Sequence, residues 1–352
     1  MVFNSVSVCS RFFLLLVETL RVETLVLLNE IARSRFNAQK WKACNSNKLI
    51  KDQHLLATCY FLLESVINIT IEEEDVERLS DVALRRTVSI LNEIINTVID
   101  FLQEAKRQSM TKGDDILASA RLFSRYLADA PSLQREISKQ FLLMLEYLFT
   151  ITSDVEESPF LVTQFLLPTV CEITREKDGC KAFVCQGGHK QVIAFMLEAI
   201  ANEEVPSGLS VKAGDIILNV LQKENRLTEH YGAMDFLPLL SALPFWADKA
   251  NRCMEISMAA SICALVLDLT SEEVILQCTY DQVLPKVYSL LLKVLGYLQM
   301  RETSLEDNEE GDLWEITLSA CMGFVDRYPS LKDSIKSCGL TSSNLLIKRL
   351  SE

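Results

Sequence analysis

The sequence predicts an all-α chain of paired, stacked helices, and three observations predict it. Apolar residues make up 49% of the 352 positions and recur every three or four residues along most of the chain, the spacing that gathers them on one side of a helix. Only 11 glycines and 8 prolines interrupt the text, cutting it into about twelve to sixteen segments of ordinary helix length. No run alternates apolar and polar residues as half-buried strands do, and no glycine-rich phosphate loop is present. Helices that are oily along one stripe must cover one another, and short connections make successive helices antiparallel neighbours. With a repeat of roughly 40 to 50 residues, the pattern describes an armadillo/HEAT-like right-handed α-solenoid. A compact all-helical domain is the alternative that the same spacing leaves open.

Residues 3–35 read as one long helix, or two closely joined, with Phe13, Val17, Leu20, Thr24, Leu27, Leu28 and Ile31 inward. The apolar run Phe12–Val17 lies between Arg11 and Glu18. It is too short to cross a bilayer and lacks the basic start of a secretion signal, so it reads as a core helix of a chain cropped from something longer. The rhythm fails from Arg35, where Arg35, Lys40, Lys42 and Lys48 surround a lone Trp41. That is the text of a surface loop, with a basic recognition loop as the sharper reading. Residues 54–69 form the next helix, with Leu55, Cys59, Leu62, Leu63, Val66 and Ile67 as its apolar face, and residues 83–104 another. Helices over 115–129 and 133–152 pair across the turn at Pro131. Asp114 and Asp115 sit at the start of the first, where a carboxylate accepts unpaired amide protons.

Helices over 160–174 and 189–202 flank a short charged segment with Cys180, Phe183 and Val184, closed by Gly187-Gly188. Two glycines there permit a sharp change of direction. Helices follow over 210–225 and 251–268; in FLPLLSALPFW between them, Pro238 and Pro244 forbid one unbroken regular helix. A short helix begins near Ser271 and a stronger one near Pro285, and residues 303–312 make a polar, acidic loop. The last substantial helix spans 313–326, before short terminal helices interrupted at Gly339. The organisation is a first helical repeat segment over 1–152 and a second over 153–352, continuous with it and ending in an irregular cap.

The residues that could carry chemistry are few. Of the three histidines, His54 and His189 read as exposed or capping, and His230 beside Glu229 as a surface pair. None has the HxH or HExxH spacing of a metal site. Cys185 with His189 is the closest approach to a nucleophile and base, but Gly187 and Gly188 break the helix that would align them. Cys171, Cys180 and Cys185 with His189 lack the spacing of a zinc cluster. The acidic groups at 72–75, 114–115 and 306–310 do not alternate as a calcium loop does and read as solvated surface. Catalytic, cofactor-binding and metal residues are therefore all assigned as none, and a cysteine/histidine-dependent enzyme is the least favoured class. Trp41, Trp246, Trp314, Tyr126 and Tyr328 are candidate interface aromatics, Trp246 and Trp314 reading rather as core.

The 48 acidic residues outnumber the 35 basic ones, for a formal charge of -13. Such a chain disfavours nucleic acid as its main ligand and favours basic partners such as receptor tails. No segment has transmembrane length, though the basic stretch at 35–48 leaves peripheral membrane association open. The eleven cysteines are odd in number, lie mostly in apolar helical text and form no CxxC pair, which suits a reducing, cytoplasmic compartment.

Four segments resemble the neurochondrin family, also called norbin, in its C-terminal portion. They are VETLVLLNEIA at 22–32, ATCYFLLESVINI at 57–69, ARLFSRYLAD at 120–129 and LLPTVCEIT at 166–174. After Ala201 the resemblance fades. It implies a non-enzymatic cytoplasmic adaptor of armadillo-like fold, found in neuronal projections and dendrites. It also implies binding of receptor tails, restraint of calmodulin-dependent kinase signalling and a part in neurite outgrowth. A general scaffold in protein assembly or transport is the alternative within the same architecture.

Overall fold

The computed structural model describes residues 2–36, 46–71, 79–128, 135–154, 162–202, 207–223, 233–278, 283–297, 309–325, 327–329 and 333. Among the described residues there are fourteen α-helices, one 3₁₀ turn and one isolated β-bridge, between Lys112 and Thr152. The all-α class predicted from the apolar spacing is what the described residues adopt. The chain divides into two compact units, Met1–Ile173 and Thr174–Glu352.

The first unit contains α1 (Val2–Phe36), α2 (Ser46–Ile69), α3 (Asp81–Arg107), α4 (Asp114–Ala128), α5 (Arg135–Phe149) and nearly all of α6 (Thr163–Arg175). α1 packs on α2 and α3, α3 on α4 and α5, and α2 on α4. α6 joins α4 where the Thr169 hydroxyl donates to the Ser124 carbonyl at 2.8 Å. Alternate helices thus form two rows, α1–α3–α5 and α2–α4–α6, with the core between them. α3 shows why: Ile90, Leu91, Ile94, Ile95, Val98 and Leu102 recur at helical intervals and are all buried, each worth about 1.5–3 kcal/mol of transfer free energy. Its start is fixed by Ser80, whose hydroxyl accepts from the Ala83 amide at 3.3 Å while its own amide donates to Ser10 of α1 at 3.1 Å.

The second unit contains α7 (Lys177–Cys185), α8 (Gly188–Ala201), α9 (Ser207–Lys223), the 3₁₀ turn Ala233–Asp235, α10 (Leu237–Lys249), α11 (Cys253–Leu269), α12 (Glu272–Cys278), α13 (Val283–Tyr297) and α14 (Glu309–Val325). α8, α10 and α13 pack in sequence as one row, and α9, α11 and α14 as the other. α11 touches α9, α10, α13 and α14 at once. It can do so because Ala259, Ala260, Ser261, Cys263 and Ala264 keep it thin on several sides, and all five are buried. On α14 a Cβ added at Gly323 would lie 2.1 Å from the Asp268 carboxylate of α11, so glycine leaves the room that this side chain occupies.

Several boundaries differ from those read off the sequence. α2 begins at Ser46, so Lys48 belongs to a helix and not to a loop. The charged segment before Gly187 is the short helix α7, and the left-handed backbone of Gly187 (φ 74°) separates it from α8. α10 runs unbroken through both of its prolines. Pro238 lies in the first turn, where no amide donor is needed, and Pro244 is buried among neighbours whose packing outweighs its one missing hydrogen bond. α14 starts at Glu309, inside the stretch expected to be an acidic loop. The turn at Pro131, Lys40, Trp41, Lys42, the acidic run 72–75 and the segment after Asp333 lie outside the described residues.

Candidate functional surface

Among the described residues the reactive side chains do not converge. His54 is exposed on α2, but His189, expected at the surface, is 3% exposed. Gly188 opens α8 and turns the His189 ring inward, where it stacks on Phe236 with centroids 5.9 Å apart. Its Nε2 lies 3.2 Å from the Asp235 carboxylate, which also holds Lys190 at 3.3 Å. Burial lowers the pKa of the ring against the opposing pull of Asp235. The neutral ring therefore donates from Nε2, while Nδ1 is buried with no hydrogen-bond partner. This histidine anchors the 3₁₀ turn to α8, and neither of its nitrogens serves a thiol. Cys185 is exposed, Cys171 and Cys180 are buried, and His230 and Glu229 lie outside the described residues. No group of three metal-ligating side chains occurs among the described residues.

The Asp114-Asp115 pair, read as solvated, is divided between two tasks. Asp114 remains outside and accepts from the Ser153 hydroxyl at 2.6 Å and the Asp154 amide at 3.1 Å. Asp115 is buried against Arg35, with Oδ2 2.6 Å from Nε. Burial raises the pKa of Asp115 and the Arg35 charge opposes the rise. Gly113 makes room for the pair, since a Cβ there would meet both the Asp115 carboxylate (2.8 Å) and the Arg35 guanidinium (2.9 Å). Arg35, expected in a basic loop, thus closes the end of α1 onto the start of α4.

The two expected interface tyrosines are also committed inside. Tyr126 is buried and donates to Asn92 at 2.8 Å; Tyr328 is buried and donates to the Leu267 and Thr270 carbonyls. Trp314 is buried on α14 and Trp246 half-buried on α10.

A surface of a different kind runs across the α2–α4–α6 row. The Arg121 guanidinium of α4 grips Glu64 of α2 with two hydrogen bonds, 2.7 and 2.6 Å, and lies over the Phe165 ring of α6 at 5.3 Å. One turn on, Arg125 donates to Asn68 at 2.7 Å. Beneath them the Tyr60 hydroxyl meets Ser119 at 3.0 Å. Beside this ladder Phe61 is 66% exposed. A planar guanidinium that is both forked onto a carboxylate and stacked on a ring loses little further freedom when a partner arrives. The sequence gives a partial signal for it, since Arg121 and Arg125 stand one helical turn apart opposite the apolar face of α4; the helices they reach are fixed only by packing.

The family model described as Neurochondrin matches residues 2–282, well over half of the chain. No curated protein and no solved structure matches.

Proposed function

Because the chain belongs to the neurochondrin family, we propose that it is a non-enzymatic protein-binding adaptor that receives partners on its helical rows. The observation that carries the reading is the α2–α4–α6 surface, where three successive helices share one aromatic and guanidinium ladder beside an exposed phenylalanine. Rows of stacked helices offer extended faces for peptides and domains, and aromatic and arginine side chains dominate the energy of such contacts. In this proposal the two-row packing within each unit belongs to an armadillo/HEAT-like right-handed solenoid. The partners are basic receptor tails and signalling kinases of the calmodulin-dependent kind, met in the cytoplasm of neuronal projections and dendrites during neurite outgrowth. The acidic excess of the chain steers basic segments toward it.

Capture from neuronal and non-neuronal lysates by the full chain tests this, with Phe61→Ala/Arg125→Ala as the comparison. Selective recovery of receptor tails and kinase from neuronal lysate, reduced at least about tenfold by the double substitution, is expected. Equal recovery of transport or assembly machinery from both lysates would overturn the neuronal reading in favour of a general scaffold. Among the described residues no helix is long and apolar enough to cross a membrane.

A further inference from the structure

We infer that Ser109, in the connection after α3, is a phosphate-acceptor site for a serine kinase that recognises basic residues on the N-terminal side of its target. Residues 106–112 carry Lys106, Arg107 and Lys112 and no acid, in a chain of formal charge -13. Lys106 and Arg107 stand three and two residues before Ser109. Cations at fixed offsets are how a kinase with an acidic cleft chooses among serines. The spacing by itself does not choose, because among the described residues an arginine also stands three before Thr24, Ser89, Ser124 and Ser138. The fold sets these aside. Thr24, Ser124 and Ser138 are buried, and the Ser124 hydroxyl is already given to the Ala120 carbonyl at 2.8 Å. Ser89 is exposed but lies within α3, where drawing out the chain would take the buried Ile90 and Leu91 from the core.

Ser109 can enter a cleft at little cost. No residue from 106 to 112 is buried, and Ser109 itself is exposed. Its backbone is left-handed, at φ 54°, an angle that glycine adopts more readily at the end of a helix. The amides of Ser109 and Met110 close α3 on the Lys106 and Ala105 carbonyls at 3.0 and 2.9 Å. Opening this turn forfeits those two bonds, relieves the left-handed angle and exposes no apolar side chain, the kind of local opening that costs far less than unfolding. Downstream the chain stays moored, since the Met110 carbonyl accepts from the Tyr147 hydroxyl at 2.7 Å and the Thr111 carbonyl from the Thr152 amide at 2.8 Å. The two cations are free to turn to a kinase, because Lys106 donates to the Leu143 carbonyl at 3.1 Å and Arg107 pairs with Glu104 at 2.6 Å in exposed contacts of small worth. In the transfer the Ser109 Oγ attacks the γ-phosphorus of ATP, the bond to the bridging oxygen breaks, and ADP leaves with the electron pair. The hydroxyl proton passes to the kinase's carboxylate base. The product sets about 1.5 to 2 negative charges at the carbonyl end of α3, which is itself negative. That phosphate draws Lys106 from Leu143 and Arg107 from Glu104, so the last turn of α3 loosens where it meets α5.

The full chain, incubated with magnesium ATP and the catalytic subunit of the cyclic-AMP-dependent kinase, a basic-directed enzyme, tests this when phosphate is located by mass spectrometry of its peptides. Ser109 is expected to fill at least about tenfold faster than Ser89, and Lys106→Gln/Arg107→Gln to slow it at least about tenfold. Ser109→Gly removes the acceptor while easing the backbone, so its peptide loses the label and the helical circular dichroism stays. In the phosphorylated chain, amide exchange in the last turn of α3 is expected to quicken about two- to fivefold. No phosphate on Ser109, filling no faster than that of Ser89, or a rate indifferent to the double substitution would overturn the site. Unchanged exchange after phosphorylation would overturn the loosening. None of these results depends on the adaptor reading, which its own capture experiment tests.

Discussion

The two units reach the same arrangement, two rows of helices around an apolar core, by different means. In the first, charged and polar side chains reach from helix to helix: Glu18 to Arg86, Arg21 to Glu93, Arg35 to Asp115, Glu64 to Arg121 and Asn92 to Tyr126. In the second, close approach does the joining. α11 is small-residued and buried on several sides, its Ser261 hydroxyl lies 2.7 Å from the Leu313 carbonyl and 2.9 Å from the Thr317 hydroxyl of α14, and Gly214 and Gly323 leave room for Met258 and Asp268. Strongly amphipathic helices can stand apart and be tied at their edges. A helix that is apolar almost all round must be enclosed, and the enclosure demands small side chains.

The comparison breaks most readily at Arg35. Arg35→Ala leaves Asp115 buried without its counter-charge and costs about 3–5 kcal/mol of first-unit stability at neutral pH, read by hydrogen exchange in α1 and α4 with α11 unaffected. The loss has a sign in pH. Asp115 already has a folded-state pKa above the ordinary 3.8 of an aspartate, and removing Arg35 raises it further. The variant therefore regains stability as pH falls through that raised value toward 3.8, below which folded and unfolded chains are both protonated. A variant equally unstable at acid pH would show the ion pair to be incidental.

Gly323→Val comes next. Its side chain would enter the space held by Asp268, which is tied to Arg327 at 2.5 Å, and overpacking of this kind costs about 1–3 kcal/mol. Slower exchange or unchanged melting in α11 and α14 would refute the claim that contact distance holds this unit together. A smaller effect belongs to His189. Its folded-state pKa is lowered from 6.5 by burial, so the stability it contributes is present above 6.5 and lost as pH falls through the lower folded value. His189→Gln should flatten the second unit's acid-side stability slope, and an unchanged slope would place that titration elsewhere. The smallest effect is at the surface: Arg121→Ala should cost about 0.5–1 kcal/mol, less as salt is raised. A loss as large as that of Arg35→Ala would erase the distinction between edge ties and the buried pair.

Much of the helix pattern was legible because apolar spacing survives any arrangement of neighbours. The spacing along α3 selects Leu84, Val88, Leu91, Ile94, Ile95, Val98 and Leu102; the last five are buried, while Val88 is exposed and Leu84 half-buried, with Ala83, Thr87 and Ile90 buried in their place. α2 carries apolar residues on several sides, so spacing alone chose Leu55 and Leu62 as core where packing buries Leu56 and Tyr60 instead. That misreading comes from the surplus apolar side of the first pair, where Leu55 and Leu62 remain exposed. Arg35 and Asp115 were both conspicuous in the text, but 80 positions apart nothing local joins them. The prolines of α10 misled for a related reason, since the rule that proline breaks helices weighs one lost hydrogen bond and not the burial that offsets it.

The amino-acid order alone determined an all-helical chain, the inward stripe of each strongly amphipathic segment and the family to which the chain belongs, because periodicity and local text are properties of neighbouring residues. Tertiary packing alone decided which side of the uniformly apolar helices is covered, that His189 and Asp115 are interior, and that Arg121 bridges two other helices. Those outcomes depend on which surfaces meet across long separations in sequence, and no interval of three or four residues encodes them.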